Sequence, residues 1–165
     1  MFDVKQFDSI LHKVVSAEAG IKKVILVDRT GLTIAHVSRS SYYPVDVDGI
    51  GVIASAVFCA SEEQGNNLAL GDLAMVTSEF DTGKIFATSS GRGVLCVITE
   101  AQISLGMVRH VMNRAKQELA EKLDEFLAAQ SSLAGPGTLS DFQAPAKPSL
   151  KKEELEAALR ELEKF

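Results

Sequence analysis

The sequence has no tryptophan and only two tyrosines, two cysteines and four prolines in 165 residues. Each scarcity argues against a class of function. Without tryptophan, and with so few tyrosines, there is no aromatic platform on which bases or sugars would stack. Cys59 and Cys96 stand apart, with no C-x-x-C spacing and no disulfide framework, and read as buried small hydrophobes of a reducing compartment. Positive charge is nowhere concentrated: Lys and Arg number 17 against 22 acids, for a net charge of -5 and a pI near 5.2. An acidic surface repels phosphate backbones, so neither nucleic acid nor a membrane surface is an expected partner. The apolar runs are strand-sized and too short to span a bilayer. Met1-Phe2-Asp3-Val4-Lys5-Gln6 carries charge from its third residue and opens no apolar leader. The expected location is cytoplasmic.

Catalytic motifs are missing too. Gly49-Ile50-Gly51-Val52-Ile53-Ala54 has the letters of a dinucleotide fingerprint. That fingerprint needs a strand immediately before it and an acidic residue about twenty positions on, closing a βαβ unit. Here a polar loop ending in Pro44 precedes it and a meander follows, so close helix packing is the better reading. There is no Walker A loop, hence no nucleotide hydrolysis by the chain itself. His12, His36 and His110 lie on separate elements without the short spacing of a metal pair. Ser89, Ser90 and Ser104 sit in nothing like a G-x-S-x-G elbow. No catalytic residue, cofactor or metal site is expected.

What is present is an ordinary globular balance, 46% hydrophobic and 24% charged. Asp3 sits three residues before Gln6, a capping-box spacing. Phe7, Ile10, Leu11, Val14 and Val15 follow at helical period, with Gly20 as an expected C-cap. Lys23 to Asp28 and Leu32 to Val37 are apolar runs joined by Asp28-Arg29-Thr30-Gly31, with Asp first and Gly fourth as a tight turn prefers. Ser38 to Pro44 reads as an exposed loop. From about Asp46 to Leu70 the spacing predicts a helix whose apolar and small residues cover nearly its whole circumference. A helix apolar all round must be covered all round. One sheet covers one face, so the other calls for a second subunit. Leu73 to Phe80, Lys84 to Ser89 and Val94 to Thr99 are three strands separated by Asp81-Thr82-Gly83 and Gly91-Arg92-Gly93. Ser104 then caps a helix carrying Leu105, Val108, Met112, Ala115, Leu119, Leu123 and Phe126 on one side.

Residues 1–130 are thus one α+β domain of order α-β-β-α-β-β-β-α. Residues 131–149 hold three of the four prolines, lack periodicity and read as a linker. Residues 150–165 form an amphipathic helix with Leu155, Leu159, Leu162 and Phe165 on its apolar face.

This order resembles the roadblock/longin-like family, and within it the bacterial regulators of the MglB type. The likeness rests on the hairpin VILVDRTGLTIAHV, on NNLALGD after the small-residue helix and on ISLGMVRHVMNRA at the start of the last core helix. It covers roughly residues 3 to 128. It implies one five-stranded antiparallel sheet between helices and a homodimer formed through the second helix and third strand. The interface expected from those positions comprises Ile50, Ile53, Ala54, Ala56, Val57, Phe58, Ala60 and Ser61 on the helix, with Leu73, Met75 and Thr77 on the strand. The resemblance also implies a Ras-like small GTPase as partner, whose hydrolysis is stimulated. Glu62, Glu63, Arg39 and Tyr42, with Leu155, Leu159, Leu162 and Phe165 of the tail, are the expected contacts to it; the alternative for the tail is to dock on its own domain and cover an apolar patch there. A trans arginine is an alternative route, for which Arg39 and Arg92 lie on loops, but each reads first as a solvated loop residue. Two other readings stand beside this one: a passive adaptor of the roadblock type, and a PAS- or profilin-like sensor enclosing a small ligand. The sensor needs convergent polar groups, whereas the inward strand positions are plain Val, Ile and Leu.

Overall fold

Phe7, Ile10, Leu11, Val14 and Val15 recur at helical spacing, and in the computed structural model they form the buried stripe of helix α1 (Lys5–Ala17). The structure describes residues 5–39 and 46–133. After α1 come strands β1 (Ile21–Asp28) and β2 (Thr33–Ser38), helix α2 (Val47–Asn67), strands β3 (Val76–Phe80), β4 (Gly83–Ser90) and β5 (Gly93–Glu100), and helix α3 (Leu105–Leu133). The strands make one sheet of five in the order β2-β1-β5-β4-β3, with every neighbouring pair antiparallel. This is the expected α+β architecture.

The sheet is covered on both faces, which explains why its central strands are apolar without interruption. Val24 and Leu26 of β1, with Leu95 and Val97 of β5, face α1 and α3 in the larger core. Ile25 and Val27, with Val94 and Cys96, face α2 in the smaller one. All eight are fully buried. A strand sheathed on one face alternates; one sheathed on both does not.

The β1–β2 turn is built by one side chain. Asp28 Oδ1 accepts from the Thr30 N–H (2.8 Å), the Thr30 hydroxyl (2.7 Å) and the Leu32 N–H (2.9 Å). Gly31 supplies the left-handed φ of 92° that the turn needs. On the α3 side, close approach is required at Gly93, where a Cβ would stand 2.8 Å from Leu123 Cδ2. The Ser90 hydroxyl ties β4 to α3 by donating to the Lys116 carbonyl at 2.9 Å. Phe7 and Phe126 meet edge to face at 5.8 Å, joining α1 to α3. Ser104 caps α3: its hydroxyl accepts the Met107 N–H at 3.4 Å and its carbonyl the Val108 N–H at 3.1 Å.

Several boundaries differ from the sequence expectation. The third strand starts at Val76, so Leu73 and Met75 precede it. Helix α2 ends at Asn67, before Leu70. Helix α3 runs to Leu133, into the first positions of the stretch expected to be linker. Gly20 does not cap α1: it lies beyond the helix without a left-handed φ. It serves packing instead, since a Cβ there would stand 3.3 Å from Ile103, and its carbonyl accepts the Glu100 N–H at 2.9 Å. Cys96 is fully buried as expected, but Cys59 is only half-buried. Asp3, most of the expected loop around Tyr42 and the expected C-terminal helix fall outside the described residues.

Burial by itself would raise the Asp28 carboxyl, but the hydrogen bonds it accepts from Thr30, Leu32 and Gly31 outweigh this and hold it below its ordinary 3.8. Asp28→Ala should therefore destabilise the fold by about 1–2 kcal/mol at neutral pH, the size of a lost cap. A carboxylate lowered in the folded state stabilises above its unfolded value and loses that contribution as pH falls through the folded one. Urea unfolding should show the gap between wild type and variant narrowing below about pH 3.8.

Candidate functional site

Helix α2 is fixed in rotation by small residues and one hydroxyl. Asp46 at its N-cap accepts the Gly49 N–H at 3.0 Å, and Asp48 lies in the first turn, where the helix dipole favours negative charge. A Cβ on Gly51 would stand 2.7 Å from Val27 Cγ1, and one on Gly31 2.7 Å from Val52 Cα, so both glycines let helix and hairpin touch. The Ser55 hydroxyl lies within hydrogen-bonding distance of the carbonyls of Arg29 (3.0 Å) and Asp28 (3.3 Å). Gly51, Ala54, Ser55 and Phe58 are consequently turned onto the sheet.

The opposite side of α2 is apolar and open. Val52, Ile53 and Val57 are 52%, 65% and 42% exposed, and Ala56 and Ala60 are exposed beside them. Next to this face runs β3, an edge strand of the sheet. Its pairing of Val76 with Ala87 and Ser78 with Ile85 puts Val76, Ser78 and Phe80 on the α2 side, and Phe80 is 58% exposed. Ile50, Ile53 and Val57 from the helix and Val76, Phe80 and Ile85 from the strands line a groove of about 210 Å³ between them. An edge strand beside an uncovered apolar helix is a surface for binding another chain.

At the margin of this face Arg29 makes a two-pronged pair with Glu62, one prong at 3.2 Å, and lies 5.9 Å over the Phe58 ring. The hydrogen bond from Arg29 holds the Glu62 carboxyl below its usual range, and the same bond raises the guanidinium. On the helix flank, Ser61 donates to the Val57 carbonyl at 2.8 Å. Cys96 beneath offers no nucleophile, since burial pushes its thiol up to about 12. Among the described residues no cluster of three His, Cys, Asp or Glu is placed to hold a metal ion.

The expected site residues divide accordingly. Ile53, Ala56, Val57 and Ala60 lie on the open face, with Ile50 and Ser61 half-buried at its edges. Phe58, fully buried, is spent on the chain's own sheet, while Ala54, 8% exposed, packs on the sheet and also lines the groove. Leu73 packs half-buried against the α2-side core, but Met75 packs against the α1–α3 core on the other face. Thr77 pairs with Phe86, which belongs to that same opposite core, so it too faces away from α2. Glu62 is engaged by Arg29, while Glu63 is exposed. Arg39 is a structural group and not an outward-reaching one: its guanidinium donates to the carbonyls of Val15, Glu18 (2.9 Å) and Ile21 (3.2 Å), closing the C-terminal end of α1. Helix α1 has no basic residue of its own in its last turn. Arg92 is exposed in the β4–β5 turn. Tyr42, Leu155, Leu159, Leu162 and Phe165 lie outside the described residues. Val52, Val76, Phe80 and Arg29 were not anticipated. The strand residues become visible once the two-residue alternation is counted from Val76 instead of Leu73.

A family model described as the Roadblock/LC7 domain matches residues 8–99. The uncharacterized protein MJ1340 of Methanocaldococcus jannaschii is 35% identical over 100 residues, 61% of this chain and 85% of the relative. Among solved structures, the gliding protein MglB of Thermus thermophilus superposes with a TM-score of 0.68 at 16% identity, over 76% of this chain and 94% of that one. Myxococcus xanthus MglB gives 0.68 at 20% identity, over 76% and 95%. At such identities the structural likeness is one of fold.

Helix α2 ends in a left-handed cap: Ala69 has φ 53°, its N–H bonds the Asn66 carbonyl at 3.1 Å, and the Leu70 N–H bonds that of Gly65 at 2.9 Å. This double bond pattern is the Schellman motif, whose left-handed position suits glycine. Ala69→Gly should accordingly stabilise the protein by about 0.5–1 kcal/mol, the removed strain exceeding the added chain entropy. The check is the urea midpoint at unchanged m-value; a lower midpoint would refute it.

Proposed function

The chain belongs to the Roadblock/LC7 domain family, and from that membership we propose that it is a homodimeric, cytoplasmic regulator of a Ras-like small GTPase, acting by protein–protein binding. The observation that carries the dimer is the open apolar face of α2 beside the free edge of β3. Two copies related by a two-fold axis present the same patch to each other, which a closed pair requires. Edge strands β3 pair across the axis, and the α2 helices lie side by side, with Ala56 and Ala60 allowing close approach. Burying Ile53, Val57 and their neighbours stabilises the pair by roughly 1.5–3 kcal/mol for each large side chain before ordering costs.

The GTPase enters through the resemblance to MglB-type regulators, and the fold likeness to MglB supports it. The chemistry belongs to the GTPase, whose own groups the dimer holds in position. Glu63 on the exposed flank of α2 is one contact. The C-terminal segment, with Leu155, Leu159, Leu162 and Phe165 on one helical face, is an auxiliary contact of the helix-in-groove kind, carried on the linker that follows α3. A passive adaptor would bind the same GTPase without altering its rate.

Sedimentation velocity should show a wild-type dimer and an Ile53→Glu monomer, since Ile53 is 65% exposed in the single chain and its replacement costs the monomer little. Single-turnover GTP hydrolysis by a Ras-like GTPase of the same genome should rise several-fold with wild type and stay basal with Ile53→Glu. Tight binding at unchanged rate would leave only the adaptor. Deleting residues 134–165 should weaken GTPase binding and keep the dimer; unchanged affinity removes the tail from the interface.

A further inference from the structure

On the face of the sheet away from α2, helices α1 and α3 leave between them a groove of about 280 Å³. Its apolar part is made by Ile10, Val14 and Ala17 of α1 and by Val111 and Ala115 of α3. Around it stand three basic side chains, Lys13, His110 and Arg114, and a single carboxylate, Glu118. Lys13 and Glu118 bridge across at 3.3 Å, with both side chains exposed at 69% and 45%. His110 and Arg114 thus surround the remainder of the groove, and among the described residues Arg114 has no carboxylate partner. One turn before Val111, Met107 is 43% exposed on the same side of α3, extending the apolar surface toward the N-terminus of the helix. That terminus is the positive end of the α3 dipole, and no acidic residue of the first turn offsets it. On a chain of net charge -5 this is a local reversal of sign.

From the charge and shape of this groove we propose that it is a second interaction surface, separate from the α2 face, and that its occupant is an acidic amphipathic helix of a partner protein. A channel between two packed helices accepts a third by the same ridge-and-groove fit that packs helices in a bundle. Leucine-sized side chains fill the strip over Val111 and Ala17, and glutamates on the helix flank meet Arg114 and His110. The bridge between Lys13 and Glu118 closes one end of the channel and sets the register. Rim charges of this kind select the partner and hasten its arrival more than they tighten it.

The probe is a fluorescein-labelled synthetic amphipathic helix with a leucine stripe flanked by glutamates, and its counterpart with lysines in place of the glutamates. Fluorescence anisotropy is read with the full-length protein at low salt. The acidic probe should bind at least roughly tenfold tighter than the basic one, and Arg114→Glu should weaken it by about tenfold while favouring the basic probe. His36→Glu, exposed on β2 and on the other face of the sheet, should leave both affinities as they are. Circular dichroism verifies folding, and Arg114→Gln, with a smaller loss in the same direction, is read if the reversal does not fold. No binding, equal binding of the two probes, indifference to Arg114, or loss with His36→Glu would each overturn the assignment. Binding that appears only after removal of residues 134–165 would assign the groove to this chain's own C-terminal segment and overturn it equally.

Discussion

The antiparallel pairing of β1 with β5 is the interaction on which the rest of the molecule depends. It sits at the middle of the sheet and matches Val24 with Val97, Ile25 with Cys96 and Leu26 with Leu95. Because consecutive residues of both strands are buried on opposite faces, this one ladder supplies the floor of both hydrophobic cores. Helix α2 takes its position from the end of β1, through Gly51 against Val27 and Ser55 near the Asp28 and Arg29 carbonyls. Helix α3 takes its own from the start of β5, where Gly93 admits Leu123. A Cβ at Gly51 would crowd Val27 Cγ1 at 2.7 Å, and one at Gly93 would crowd the Val27 carbonyl at 2.8 Å, so neither position takes a side chain without local rearrangement.

The two faces are not treated alike. Two helices share one side of the sheet, and the Phe7–Phe126 pair joins them over the larger core. Among the described residues a single helix lies on the other side. Its inner stripe is spent on the sheet, and its outer stripe of valine, isoleucine and alanine stays largely exposed, with the Gly31 turn and strands β3 and β4 along its margins. Polar groups follow the same division of labour. Arg39 and Asp28 satisfy backbone at a helix end and a turn, where unpaired carbonyls and N–H groups are costly. Arg29 and Glu62 are paired at the margin of the open face instead.

Most of the fold was legible because hydrophobic periodicity is a direct record of burial. The stripe from Phe7 to Val15, the uninterrupted apolar run of β1 and the D-x-x-G turn each mapped onto the element they imply. Strand β3 was harder. Leu73-Ala74-Met75 continues the apolar character of Val76, yet those residues approach the sheet without joining its ladder, held by the Thr88 hydroxyl bonding the Ala74 carbonyl at 2.9 Å. Misplacing that start reversed which residues share the α2 side, so Thr77 was expected where Val76, Ser78 and Phe80 stand. The circumference of α2 showed that two faces were apolar but not which was which, since that depends on Gly51 and Ser55 meeting a distant hairpin. Arg39 was misread for a related reason: an arginine that looks solvated beside a polar loop is, in space, next to the carbonyl end of a helix far back in the chain.

The central ladder also dictates when this protein is able to fold. β1 leaves the ribosome well before its main partner β5, the last strand of the sheet to do so. Until Gly93–Glu100 has emerged, the Val24–Val27 run has only β2 beside it and an unpaired edge on the other side. Pairings between segments so far apart in sequence form late, after the loop between them has been closed. A nascent chain halted after α2 would thus carry both a sticky strand and an apolar helix.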